Sequence, residues 1–358
     1  MNKNLTRRSF LKIGSLALSS MAFGPVFPRE EEQDQGEIAR VTVKEIDLRS
    51  EPRDDAPIIG KRYRDQLVHI YYELTPPDAP AFYNRLWYRV WGGYLHSAYL
   101  QRVNLQLNQP LSNVPEKGLL SEVTVPYTPA YLYSKKDGWQ LRPAAPLYYE
   151  TIHWITGIET GPDGEPWYQI SSELFDGFIY YAPAVHLRPI PAAEWSPISV
   201  DVPPEKKRIE VSLNEQTLRA YEFNEVVYTA RISSGIPSSR PSPNGIPTAT
   251  QKGRFRIYSK MPTKHMGSVT GNPDGDDGDR FSLPGVPWTC FFVPEWGVAF
   301  HGTYWHNNFG LQMSHGCVNM RNADAKWLFR WTTPVFDPEI KENSNWEQTG
   351  YGTVVDII

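Results

Sequence analysis

The sequence predicts a mainly β protein: two small barrels, then a larger mixed β domain with one short helix beside a cysteine. Three observations carry this expectation: short bursts of alternating apolar and polar residues cut by turn residues, an echo between two such stretches, and a change of pattern after a proline-rich segment. At about 150 residues per domain, 358 residues allow two or three domains. Apolar residues make up 40% and charged residues 21%, the balance of a globular chain with real cores. A formal charge of −4 without a Lys/Arg stripe provides no field for a polyanion, so no nucleic-acid partner is expected. Cys290 and Cys317 are too few for a disulfide scaffold and lack C-x-x-C spacing, and His69, His96, His153 and His186 lack ligand spacing. No metal and no cofactor are expected.

Residues 1–28 read as an address. Thr6-Arg7-Arg8-Ser9-Phe10-Leu11-Lys12 resembles a twin-arginine export signal, and the apolar run Ile13–Phe23 that follows is shorter than the roughly 20 residues a spanning helix needs. The resemblance implies passage of a folded chain through the twin-arginine machinery. The expected location is the cell envelope: the periplasm, or the outer face of the cytoplasmic membrane and the cell wall. Arg29 to Gly36, with four acids among its eight residues, reads as a solvated linker.

From 38 to 105 the bursts are Val41–Arg49, Leu67–Tyr72, Leu86–Trp91 and Tyr94–Leu100, punctuated by Pro52, Pro76-Pro77-Asp78 and Gly92-Gly93. From 119 to 192 a second copy follows. Leu141 with its neighbours echoes Leu48, Trp167–Ile170 echoes Trp87–Val90, and Phe178–Tyr181 with Leu187 echoes Tyr94–Leu100. Both copies resemble the SH3-like modules of exported wall proteins. Their aromatics (Tyr71, Tyr72, Trp87, Trp91, Trp154, Trp167) either fill barrel cores or line a groove that contacts wall glycan or peptide.

Residues 193–204 close a proline-rich linker, since five prolines lie between Pro189 and Pro204. The domain from 205 to 358 opens with strand-like Arg208–Glu222 and Val226–Gly235, then a turn at Ser242-Pro-Asn-Gly245 and a strand at Gly253–Tyr258. Its chemistry lies in Phe300-His301-Gly302-Thr303 and Ser314-His315-Gly316-Cys317-Val318-Asn319-Met320. A free thiol has a pKa of about 8.5, so it needs a nearby imidazole, while a small-residue turn leaves room for a carbonyl and backbone N–H donors.

These blocks resemble the YkuD-type L,D-transpeptidase family, in which a His-Gly precedes a Ser/Thr-His-Gly-Cys. The resemblance implies that Cys317 is the nucleophile and His301 the general base and acid. Ser314, His315 and Gly302 map to supporting positions, and the N–H groups of Gly316 and Cys317 to an oxyanion hole. It further implies peptidoglycan stem peptides as donor and amine acceptor. Where many members carry Arg two residues after the cysteine, this chain has Asn319, with Arg321 beyond; both are candidate substrate contacts, as are Trp288 and Phe291 at the groove. The segment Met261–Pro287, with its acidic run Asp274–Asp279, is expected to be a solvated loop over that groove, and His306 to lie outside the chemistry. Asn322–Arg330 has helical spacing, Gly352–Ile358 closes the chain as a strand, and Cys290 reads as a buried strand residue. Two other activities fit the same residues: an L,D-carboxypeptidase that hydrolyses the terminal D-residue, or a wall-binding protein without catalysis.

Overall fold

The protein is mainly β, as a computed structural model describing residues 37–77, 84–141, 146–172, 179–238, 245–267, 282–337 and 352–358. The twin-arginine stretch, the acidic segment before residue 37, the run Asp274–Asp279 and most of the turn at Ser242 lie outside the described residues.

The first unit holds β1 (Ile38–Val41), β2 (Glu45–Arg49), β3 (Ile58–Tyr63), β4 (Leu67–His69), β5 (Tyr72–Leu74), β6 (Trp87–Val90), β7 (Gly93–His96) and β8 (Leu100–Val103). They form sheets of order β4-β1-β8 and β3-β2-β7-β6-β5 around a core of Val41, Leu48, Val68, Tyr88, Val90, Leu95 and Leu100. In β6, Tyr88 and Val90 face this core, whereas on the other face Trp87 is buried edge-on to His96 and Arg89 is half-exposed.

The second unit holds β9 (Leu119–Val123), β10 (Tyr127–Thr128), β11 (Tyr131–Ser134), β12 (Gly138–Leu141), β13 (Leu147–Tyr148), β14 (Ile152–Thr160), β15 (Pro166–Ser171), β16 (Ile179–Pro183) and β17 (Leu187–Pro189). Its main sheet runs β12-β11-β16-β15-β14-β9-β17. The pairing repeats that of the first unit: β9 joins β14 and β17 as β1 joins β4 and β8, and β15 joins β16 as β6 joins β7. In each unit a short 3-10 turn, Ser97–Tyr99 or Ala184–His186, precedes the last strand. One echo needs correction. Leu141 lies on β12, which among the described residues pairs only with β11, whereas Leu48 lies on β2, which pairs β3 and β7; the counterpart of β2 is therefore β11 at Tyr131–Ser134. Of the aromatics, Trp87, Trp154 and Trp167 are buried, whereas Tyr71, Tyr72 and Trp91 are each more than half exposed.

The linker is not loose. It contains the four-residue helix α1 (Ala192–Trp195), and Trp195 and Ile198 pack on the core of the third unit. That unit holds β18 (Lys207–Ser212), β19 (Thr217–Glu222), β20 (Glu225–Arg231), β21 (Gly253–Arg256), β22 (Ser259–Gly267), β23 (Ser282–Val293), β24 (Val298–Gly302), β25 (Val318–Met320), helix α2 (Asn322–Trp331) and β26 (Val354–Ile357). Sheets of order β20-β19-β18-β26-β21 and β22-β23-β24-β25 are both mixed, with β18–β26 and β24–β25 parallel. The expected loop from Met261 is instead the end of a long hairpin: Met261 to Gly267 pair with β23, and Thr263 donates to the Ile152 carbonyl of the second unit. Helix α2 buries Ala325, Leu328, Phe329 and Trp331 on that core.

Candidate active site

Strand alternation places the reactive side chains. On β24, Val298 and Phe300 face the core, so Ala299 and His301 face the other way; on β25, Val318 and Met320 face the core, so Cys317 and Asn319 share the outer face. In the parallel ladder His301 lies level with Asn319, and Cys317 is held beside Ala299, whose backbone hydrogen-bonds the thiol. His301 and Cys317 are thus diagonal neighbours on adjacent strands, with Cα atoms on the order of 8 Å apart from the strand spacings.

His301 is 2% exposed, and its Nδ1 lies 2.9 Å from the Gly302 carbonyl. A carbonyl only accepts, so Nδ1 carries the proton and Nε2 keeps the lone pair that a general base needs. Burial lowers the imidazole pKa to about 4, partly opposed by that carbonyl. Burial also pushes the Cys317 thiol up to about 11, against a lowering contribution from Ala299. At neutral pH the pair is a neutral imidazole and a neutral thiol, not an ion pair. The two are not hydrogen-bonded to each other here, and catalytic contacts of this kind tighten when substrate arrives.

The turn that presents Cys317 is clamped. Gly316 sits at φ 123°, a left-handed conformation open to glycine. Ser314 Oγ donates to the Cys317 carbonyl, and the Gly316 N–H donates to Ser314 Oγ at 3.2 Å. That bond engages the Gly316 N–H, one of the two donors expected for an oxyanion. The strand end Ser233–Gly235 holds the turn from outside: Ser233 exchanges backbone bonds with Asn319 at 2.9 Å, and Ser234 O accepts from Met313 and Ser314. Thr250 Oγ1 then links the Gly235 N–H at 2.8 Å to the Gly316 carbonyl at 2.7 Å. Gly302 is fixed by a close neighbour, Asn322, whose Oδ1 a Cβ would meet at 2.3 Å.

The candidate substrate contacts divide. Phe291 is half-buried and pairs with Ala299, on the face that carries Cys317. Trp288 does not line a groove: it is 3% exposed in the core, its ring 5.3 Å from Phe329 of α2, because alternation along β23 puts it on the same face as Cys290 and Phe292, opposite to Phe291. Arg321 is exposed, 3.9 Å from Asp324 and with its guanidinium 4.9 Å from the Phe309 ring. His315 is exposed. Cys290 is a free, fully buried thiol whose pKa burial raises to about 11.

His306, set aside by the sequence reading, lies inside the site. Its Nδ1 accepts the Asn308 N–H at 3.2 Å, and its Nε2 is 2.9 Å from the Asn319 amide. Burial, and then the neighbouring His301, lower its pKa to about 3, so it is neutral and must carry its single proton on Nε2. In the structure the Asn319 amide nitrogen is the atom that meets His306, and Asn319 Oδ1 is buried without a partner among the described residues. Nothing in the local sequence around His306 signals this, because the contact closes only when β25 pairs with β24.

The family-model match to known proteins falls on the third unit. A putative L,D-transpeptidase YkuD of Bacillus licheniformis is 32% identical over 118 residues, which is 33% of this chain and 55% of that protein. The crystal structure of an L,D-transpeptidase from Xylanimonas cellulosilytica is 24% identical and covers 48% of this chain and 64% of its own, with a TM-score of 0.29. The L,D-transpeptidase from Mycobacterium smegmatis is 14% identical and covers 81% of this chain and 99% of its own, with a TM-score of 0.31. Residues 206–357, which contain His301, Cys317 and the strands that present them, match the family model of the YkuD L,D-transpeptidase catalytic domain.

Proposed function

We propose that this protein is an exported L,D-transpeptidase that forms 3→3 peptidoglycan cross-links through a thioester on Cys317. The observation that carries the reading is the pairing of Cys317 with a buried His301 whose Nε2 lone pair is free, within a stretch that matches the L,D-transpeptidase catalytic domain. Cys317 Sγ attacks the carbonyl on the L-side of a stem tetrapeptide as its proton passes to His301 Nε2. The C–N bond to the D-residue then breaks, and the imidazolium returns the proton to the departing amine. An acceptor amine attacks the thioester, loses a proton to His301 and releases the thiol. Because the resting pair is neutral, proton transfer and S–C bond formation are coupled in the first step.

The half-buried setting of Cys317 favours transfer over hydrolysis, since a bound acceptor displaces the water that would compete for the thioester. The twin-arginine signal would carry the folded chain to the cell envelope. Both β units contact the catalytic unit, and the first unit's exposed Tyr71, Tyr72 and Trp91 would remain available to wall polymers. Incubation of purified protein with stem tetrapeptides and mass analysis of the products tests the reaction. Cross-linked dimers with loss of D-alanine are expected. Tripeptide alone, at any acceptor concentration, would assign the L,D-carboxypeptidase activity instead.

A further inference from the structure

The loop between the two reacting residues does not rest on the catalytic unit alone. Its Tyr304 carbonyl accepts Arg40 Nη2 at 3.1 Å, and Arg40 belongs to β1 of the first barrel. Arg40 is only 1% exposed, and a guanidinium this deep is tolerated only when each of its sides is met. Nη1 pairs with Asp65 at 2.9 Å, Nε and Nη2 donate to Gln101 Oε1 at 3.2 and 2.8 Å, and its flat face lies 3.8 Å from the Tyr148 ring. One side chain therefore joins the first barrel, the second barrel and the catalytic loop. A second grip lies three residues along: the Asn307 N–H donates to the Ala98 carbonyl at 2.6 Å, and the Asn307 carbonyl accepts Asn84 Nδ2 at 3.1 Å.

The two residues between these grips are the ones that touch the site. The Trp305 ring lies 5.7 Å from the His301 ring at 35°, and His306 holds Asn319, which is level with His301 on the neighbouring strand. We propose that Arg40 is a positioning residue for His301: by fixing the loop at Tyr304 and Asn307, the first barrel sets the imidazole and Asn319 for acyl transfer. The barrel is then a working part of the active site as well as any wall-binding module it forms. This inference rests on the reading of Cys317 and His301 as the reacting pair.

The test uses the full-length protein with Arg40→Ala, Arg40→Lys and Asn84→Ala, each first checked for folding by thermal unfolding. Two probes are followed: acylation of Cys317 by a stem tetrapeptide, and alkylation of the thiol by iodoacetamide as a function of pH. The maximal acylation rate of Arg40→Ala should fall about tenfold or more, with the apparent KM within about threefold, the pattern of a misplaced base and not of lost substrate contacts. Arg40→Lys should not restore it, because an ammonium lacks the planar fork that reaches Asp65, Gln101 and the Tyr304 carbonyl together. Asn84→Ala, which loosens only the second grip, should show a smaller loss of the same kind. Loosening the loop admits water to His301, whose titratable neighbours are His306 and Cys317, and should move the acid limb of alkylation upward. If the wild type takes no acyl group, the substrate reading fails while alkylation still decides the role of Arg40. Folded Arg40→Ala and Asn84→Ala proteins with wild-type alkylation profiles, and wild-type acylation wherever the wild type acylates, would overturn the inference.

Discussion

Gly235 is the position where a single methyl group should disable the site without touching a reacting atom. A Cβ there would meet the Thr248 carbonyl at 2.2 Å, the Thr250 N at 2.7 Å and the Gly316 N at 2.8 Å, whereas ordinary contact begins at 3.4 Å. The overlap with Thr248 is 3.4 − 2.2 = 1.2 Å, and all three obstacles are backbone, so no rotamer change relieves it. Thr250 and Gly316 belong to the clamp that presents Cys317, so relief comes by moving that turn. Overpacking of this kind costs roughly 1–3 kcal/mol of stability. A shift of about 1 Å in a reacting group costs on the order of 10²-fold in rate. Gly235→Ala should therefore acylate about 10²-fold more slowly at a temperature where it remains folded, read by intact-protein mass over time. Gly60→Ala is the comparison, since its Cβ would meet only side chains at ordinary contact distance, Leu48 at 3.5 Å and Arg62 Nη1 at 3.9 Å. Acylation of Gly235→Ala within about threefold of the wild type would refute the claim that this clamp sets the nucleophile.

The pH dependence follows from burial. With His301 lowered to about 4, acylation should hold from neutral pH down to about 5 and fail near 4; half-loss near the ordinary value of 6.5 would mean a solvated imidazole. The same shift makes stability fall as pH drops from about 6.5 through 4, because the unfolded chain takes up the proton first. Thiol labelling should find one reactive cysteine in the native protein, none in Cys317→Ala and two after unfolding of the wild type, since Cys290 is fully buried in β23; two native labels would contradict that burial. Arg7→Lys combined with Arg8→Lys should leave the protein inside the cell by fractionation, and unchanged export would remove the twin-arginine address.

The strand bursts were legible because each depends on a short stretch of sequence. Tyr88 and Val90 share the core face of β6, as two-residue spacing requires, and the residues proposed to react around Cys317 lie within the single stretch Ser314–Asn319. The helix after the cysteine was placed to within one residue, at Asn322–Trp331, since an apolar face repeats on a helical period. What escaped depends on contacts between distant segments. Trp288 looked like a groove residue near Phe291, but at three residues' distance on β23 it falls on the opposite face, with Cys290 and Phe292 in the core. His306 and Thr250 gain their roles only once β25 lies between β24 and the Ser233–Gly235 segment. The echo of Leu48 at Leu141 misjudged the front of the second barrel, because one more hairpin strand separates the two positions than the matching residues suggest.

The central claim, a thioester formed at Cys317 by a neutral histidine–thiol pair, is tested most directly by intact-protein mass spectrometry with a stem tetrapeptide. The wild type should gain the mass of the tripeptide acyl group at Cys317, Cys317→Ala should gain nothing, and His301→Ala should acylate about 10²-fold more slowly or less. An adduct that persists in Cys317→Ala, or undiminished acylation in His301→Ala, would contradict the account.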